Sequence, residues 1–361
     1  MTDNLYLPKD TFEAKPNQID NFALRLNKYH KTFLNKFVLY RDNKIQTCLK
    51  FDSSKKQILA FSDKYLLSLQ QLPELKVETS AFKPDWRLII GLGSASVYET
   101  SITLHHIYGF PYIPGQAVKG VTRNYVICEC FEKDEEKAEN NPEFKAIFGS
   151  QEQQGKITFF DAYPQTEPKL DFDIMNVHYK DYYGGKDQPT DDQKLNPITF
   201  LTVKDTTFFF PIGFPQDQSK DIAIEGITIS ELIRTALEEK GIGAKTSVGY
   251  GYLKFDESAT QKQKENELKN EKEKIRKQEQ QVFEAMPELD KQLFHLSEEK
   301  NLEKAKYLSY ELFNKLDSLA EAEKQKTAEA LKEFWQKRNF WQKQKKKQKD
   351  RVKKVKQILG E

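Results

Sequence analysis

The residues best suited to hold a ligand lie in Gly241–Gly251, GIGAKTSVGYG, where four glycines fall within eleven positions. Glycine adopts positive φ readily and lets backbone N–H groups come close to a ligand. Successive N–H groups in such a loop form a concavity suited to phosphate oxygens. Lys245, Thr246 and Ser247 add one cation and two hydroxyls at the same place. Gly241, Gly243, Ala244, Lys245, Thr246, Ser247 and Gly249 are therefore the candidate contacts for a phosphate-bearing ligand. Two familiar phosphate motifs fail here. A P-loop has Gly directly before its Lys, whereas Lys245 follows Ala244. A dinucleotide fingerprint needs Gly where Thr246 stands, and a strand-then-helix order that is reversed here. An ordinary glycine-rich turn is the alternative reading.

A second candidate is Thr103–Arg123, TLHHIYGFPYIPGQAVKGVTR. Pro114–Gly115 ends a strand and starts a helix, whose first turn has free N–H groups that favour anions. Lys119 and Arg123 are four residues apart and share one helical face. They suit backbone phosphates, or the solvated side of an amphipathic helix. A histidine can move protons near neutral pH, which makes His105, His106 and His178 the acid–base candidates of the body. None of them has a visible partner in the sequence. Asp161, Asp171, Asp173 and Asp181 show no spacing diagnostic of a metal or a general base. The segment Asn176–Gly185, NVHYKDYYGG, places His178, Tyr179 and Lys180 on an expected hairpin. Aromatic and basic residues there suit base stacking, as they suit a plain solvent hairpin.

The elements that must position these residues follow from pattern. Trp86–Leu92 reads as a buried strand and Gln116–Phe131 as a helix, with Val118, Val121, Tyr125 and Cys128 on one face. Lys156–Ala162 is a strand, and Pro197–Pro211 is a strand pair or one bent strand. Ser230–Lys240 is a helix: Thr228 and Glu231 have capping-box spacing, and Gly241 stands where a C-terminal cap belongs. Ser247–Phe255 closes the set. This β-α-β-β-α-β order predicts an α+β, ferredoxin-like domain over residues 86–256. Residues 1–85 read as a mainly helical region (Ile19–Tyr40, Lys56–Gln71) packing on that domain.

The formal net charge of +2 hides an asymmetry. Residues 1–256 carry 31 Lys/Arg against 35 Asp/Glu, whereas residues 257–361 carry 26 against 20. The latter stretch is rich in Lys, Glu, Gln, Leu and Ala, all good helix formers. It predicts a charged extension of two to four helices, with Pro287 starting or kinking one and a solvated basic segment at its end. Nucleic-acid binders commonly carry their basic footprint on the folded domain, so a near-neutral body argues against tight RNA binding by the body alone. The three cysteines (Cys48, Cys128, Cys130) fit neither a disulfide framework nor a four-ligand zinc site. The first residues lack a basic start followed by an apolar run, and no stretch has the roughly 18–20 apolar residues of a membrane span. A cytoplasmic protein without metal or cofactor, and without membrane contact, is expected.

Taken together, GLG at 91–93, LHHIYGFPYIPGQAVKGVTR at 104–123, IFG at 147–149, GKITFFDAYP at 155–164, NPITFLTV at 196–203 and GIGAKTSVGYG at 241–251 resemble the RAMP superfamily of CRISPR proteins. Within it they resemble the sixth-subunit family of the type III-B (Cmr) effector complex. The resemblance implies an RRM-like RAMP domain and a non-catalytic backbone or capping subunit of an antiviral ribonucleoprotein. It implies guide (CRISPR) RNA contacts near the guide's 3′ end through Gly241, Gly243, Lys245, Thr246 and Gly249, and through Lys119 and Arg123. The partners it implies are the other RAMP subunits, especially the slicing backbone subunit, with target RNA as a further candidate. The superfamily also includes guide-processing endoribonucleases that commonly use a histidine, which makes such an enzyme the alternative.

Overall fold

The computed structural model describes residues 21–28, 55–96, 98–177, 196–216, 222–342 and 346–361, with shorter pieces at 19, 32–33, 36–37, 40–41, 44–45, 184–185 and 188. Among the described residues, the N-terminal region is less helical than expected. Helix α1 covers only Phe22–Lys28, and four short strands follow: β1 (Thr32–Phe33), β2 (Lys36–Phe37), β3 (Tyr40–Arg41) and β4 (Lys44–Ile45). β1 pairs with β2 and β3 with β4, each across two positions, which corrects the helix expected over Ile19–Tyr40. Helix α2 (Lys55–Leu69) stands close to where it was expected.

The second correction concerns the first strand of the domain. It is β5 (Leu75–Pro84), inside the stretch read as helical. Trp86–Leu92 instead runs irregularly, with Leu88 making an isolated bridge to Val203. There follow α3 (Gly115–Glu129), α4 (Glu135–Asn140), α5 (Pro142–Phe148), β6 (Thr158–Phe159) and β7 (Tyr163–Pro164). Next come β8 (Lys169–Val177), β9 (Asn196–Lys204), β10 (Phe208–Pro215), β11 (Ala223–Ile224), β12 (Ile227–Thr228), α6 (Ile229–Glu239) and β13 (Leu253–Phe255). The main sheet runs β13-β5-β10-β6, with β7 also on β10, and every pairing is antiparallel. With α3 between β5 and β6 and α6 between β10 and β13, this is the β-α-β-β-α-β layout of a ferredoxin-like domain. The two candidates in Pro197–Pro211 separate: β10 lies inside the main sheet, while β9 pairs with β8 in a two-stranded ribbon.

β10 reads FFFPIGFP because it is buried on both faces. Phe208, Phe210, Ile212 and Phe214 join Phe82, Val118, Val126, Leu232 and Leu237 in one core. Phe209 turns the other way and meets Ala81 and Leu66 of α2. The expected cap holds: Thr228 Oγ1 accepts from the Glu231 amide at 3.3 Å, and Gly241 beyond α6 has φ +71°.

Beyond β13 the described residues form α7 (Glu257–Ala285), α8 (Glu288–Glu298), α9 (Leu302–Lys315), α10 (Glu321–Lys337) and α11 (Lys346–Leu359). Pro287 is the N-cap of α8, so it begins a helix. The chain divides into two compact units, Met1–Glu265 and Asn266–Glu361. The second unit has its own core, including Leu296, Leu312, Leu316, Leu331, Trp335, Val352 and Val355. The basic end is therefore a packed helix, with Val352 and Val355 buried and Lys346, Lys347, Lys349, Lys353 and Lys356 exposed. No helix among the described residues is long and apolar enough to cross a membrane.

Candidate RNA-backbone site

The glycine loop is pinned at its base and open at its tip. The Ile242 amide donates to Gly251 O (2.8 Å), the Gly251 amide to Arg87 O (2.7 Å) and the Ala244 amide to Ile89 O (2.8 Å). These contacts are so close that a Cβ on Gly243 would lie 2.1 Å from Ile89 O, and one on Gly251 would lie 2.0 Å from Ile242 O. Both glycines also have positive φ, +96° and +78°. Side chains are thus excluded there by distance and by conformation. At the tip, Lys245 adopts the left-handed region (φ 59°, ψ 31°) and starts a 3₁₀ turn over Thr246–Val248. The amides of Val248, Gly249 and Tyr250 turn inward to Lys245 O and Thr246 O. Those of Lys245, Thr246 and Ser247 have no acceptor among the described residues. Three successive unpaired N–H groups are what an oxyanion requires. A small core of Ile89, Phe200 and Tyr250 holds the loop from below, with Ala244 against it.

This loop faces α3 across a groove of about 530 Å³, lined by Ala117, Gly120, Val121 and Asn124 of α3 and by Lys240, Gly241, Ile242, Gly243 and Thr246. The fold thus unites the two segments singled out in the sequence, yet it uses a different face of the helix. Lys119 and Arg123 lie about 200–240° around α3 from Ala117, at 100° per residue. Arg123 is held by Glu139 (2.7 Å) and Glu135 (2.9 Å), and its guanidinium lies 5.4 Å from the Phe144 ring centroid. It fastens α4 and α5 to α3. Lys119 is half-buried and has no ion pair among the described residues. On the groove rim, Lys240 bonds Glu129 at 2.7 Å, and this hydrogen bond raises its pKa.

The start of α3 already holds an anion from within the chain. The Gly115 amide donates to Asp161 Oδ1 at 2.8 Å, and a Cβ on Gly115 would lie 2.2 Å from Phe159 O. Gly115 is thus a close-packing position. His105 sits among Phe61, Tyr108, Phe110, Tyr112 and Tyr163. Its Nδ1 lies 3.3 Å from both the Ile107 and the Tyr108 amide and accepts from them. Burial lowers its pKa, against the pull of Asp161, so the neutral ring is favoured. His106 is exposed. His178, Tyr179 and Lys180 lie outside the described residues.

Asp171 and Asp173, weighed in the sequence as metal or base carboxylates, belong to an ion-pair network. Arg87 reaches Asp171 (3.1 Å), Asp173 (3.7 Å), Phe172 O (2.8 Å) and Thr202 Oγ1 (3.1 Å), and Lys204 reaches Asp171 at 2.6 Å. Burial alone would raise the Asp171 pKa, but the Lys204 hydrogen bond, the Phe172 amide and Arg87 hold it below the usual value. Tyr250 donates to Asp173 at 2.8 Å, and burial with that bond pushes its pKa to about 12. Sequence reading missed this network because Asp171 and Asp173 were placed in no element and lie more than 80 positions from Arg87; WR at 86–87, directly before an apolar run, was the available signal. Among the described residues, no group of three or more His, Cys, Asp or Glu could hold a metal ion.

Residues 86–254, which include α3 and the glycine loop, match the RAMP superfamily model. The chain is 36% identical over 240 residues to the CRISPR system Cmr subunit Cmr6 of Pyrococcus furiosus, covering 50% of this chain and 69% of that protein. It is 26% identical over 175 residues to the corresponding subunit of Saccharolobus solfataricus, covering 47% of this chain and 54% of that one. Among solved structures it is similar to a type III-B Cmr-beta complex bound to cognate target RNA, with 23% identity and a TM-score of 0.44. That match covers 61% of this chain and 78% of the other. It is also similar to the crystal structure of Cmr6 from Pyrococcus furiosus, with 34% identity and a TM-score of 0.35, covering 51% of this chain and all of that one. The chain belongs to the RAMP superfamily, in the Cmr6 family of CRISPR system Cmr subunits.

Proposed function

We propose that this chain is a non-catalytic, RNA-binding backbone or capping subunit of a type III-B effector. It contacts the guide RNA backbone near the guide's 3′ end, beside the slicing backbone subunit and other RAMP subunits, with target RNA close by. The observation that carries this reading is the row of unpaired amides at Lys245, Thr246 and Ser247, of which Thr246 lines an open groove. A subunit that serves many guides must bind without reading bases, so its contacts belong on phosphate and 2′-OH. Backbone amides with one cation meet that need. The acidic balance of residues 1–256 fits a protein that shares its RNA with neighbours.

His105 supports the non-catalytic reading, because its Nδ1 is engaged by two amides and its ring is enclosed by aromatics. The test is to express the chain alone and with its partner subunits and to sequence the RNA that co-purifies. Short RNAs with a shared repeat-derived 5′ tag, found only with partners and uncut by the lone chain, are expected. Cleavage of repeat RNA by the chain alone would replace this reading with a processing nuclease.

A further inference from the structure

We propose that Trp86 is a stacking platform for one unpaired nucleobase of the bound RNA, set beside the amides of Lys245–Ser247. The inference rests on the RNA-binding reading above and adds a base contact to it. Trp86 is 51% exposed, whereas Trp335 is fully buried. Its position is nevertheless fixed. The ring lies 4.8 Å from the Tyr250 ring between centroids, at 39°. Tyr250 is itself buried and tied to Asp173. The Arg87 guanidinium lies 5.5 Å from the Trp86 centroid and is held in turn by Asp171, Phe172 O and Thr202.

The platform and the phosphate amides form one unit. The Tyr250 amide donates to Lys245 O at 3.3 Å, and the Gly251 amide donates to Arg87 O at 2.7 Å. A fixed, half-exposed ring loses little freedom on binding, and any base has a π-face to lay on it. Such a contact tolerates every guide sequence. The surroundings favour a base over a protein partner, whose interface core would be a contiguous apolar patch depleted of charge. Here the charged Arg87 guanidinium lies against the ring and is itself ion-paired with Asp171 and Asp173.

The test titrates the full chain at low salt, where backbone contacts are strongest, with a labelled oligouridylate and with an abasic oligomer of equal length. Trp86→Ala should bind oligouridylate roughly five- to a hundredfold more weakly, the size of one stacked base, and bind the abasic oligomer as the parent does. Trp86→Phe should restore part of the loss, which separates stacking from misfolding. Lys245→Gly should weaken both oligomers alike, reporting on the backbone site. If Trp86→Ala and Trp86→Phe match the parent on both oligomers, the platform is overturned while the backbone reading stands. The platform is equally overturned if Trp86→Ala binds RNA normally but no longer co-purifies with partner subunits, because the ring then faces protein. If the parent binds neither oligomer even at low salt, the platform is overturned, while the reading of an RNA shared with neighbouring subunits stands or falls on the co-purification above.

Discussion

The glycine loop and the start of α3 offer the same chemistry in the sequence: glycine, free amides and nearby cations. In the structure they differ. At α3 the Gly115 amide is taken by Asp161, and Arg123 by Glu135 and Glu139. At the loop, three successive amides have no acceptor among the described residues, and the Lys245 ammonium, with no ion pair among them, lies 5.9 Å from the Phe200 ring centroid. Suitability for phosphate becomes a site only where the fold leaves donors unpaired. An intramolecular carboxylate at a helix terminus converts the same motif into a structural joint.

The largest expected effect comes from breaking the loop. Gly243→Val places a Cβ against Ile89 O in a positive-φ position, and should destabilise the body by at least about 2 kcal/mol. Thermal unfolding would show it, together with loss of RNA. Gly120→Leu sharpens the contrast by blocking the groove without disturbing the fold. Nothing lies within 4 Å of a Cβ built at Gly120, and replacing a helical glycine contributes about 0.5–1 kcal/mol to stability. RNA affinity should fall about tenfold, or about 1.4 kcal/mol, while the unfolding temperature stays level or rises. A third comparison sets the two cations against each other. Lys245→Gly relieves a left-handed non-glycine residue and removes one phosphate contact, so it should flatten the salt dependence of RNA binding by about 0.7 in log–log slope. Arg123→Gln should leave that slope unchanged and cost about 1 kcal/mol of stability.

The smallest effect is the pH response of His105. Its folded pKa is depressed, so the unfolded chain binds the extra proton first. The stability it contributes is present above its unfolded pKa of about 6.5 and is lost as pH falls from there toward the depressed folded value. His105→Phe should flatten unfolding midpoints between about pH 7 and pH 5.

Local signals in the sequence were good guides. Thr228 and Glu231 marked the start of α6, Pro114–Gly115 marked α3, and the glycine loop announced itself. β5 was missed because LKVETSAFKP mixes charges into a strand that is only partly buried, and its partners β10 and β13 lie far along the chain. The helix read over Ile19–Tyr40 failed for a local reason, since short hairpins mimic a helical period over a few residues. The site was legible as a composition and illegible as a geometry. Asp161 lies 46 positions from Gly115, and nothing near Lys119 in sequence says which face of α3 meets the loop. Trp86 read as an interior strand residue because the apolar run after it is interior.

The central claim is that the unpaired amides of Lys245, Thr246 and Ser247, and not the start of α3, receive the RNA backbone. Amide hydrogen exchange of the assembled effector, with and without guide RNA, tests it most directly. Exchange at 245–247 should be fast without RNA and slow when RNA is present, with residues 115–118 unchanged. Slowing at 115–118 with none at 245–247 would contradict it.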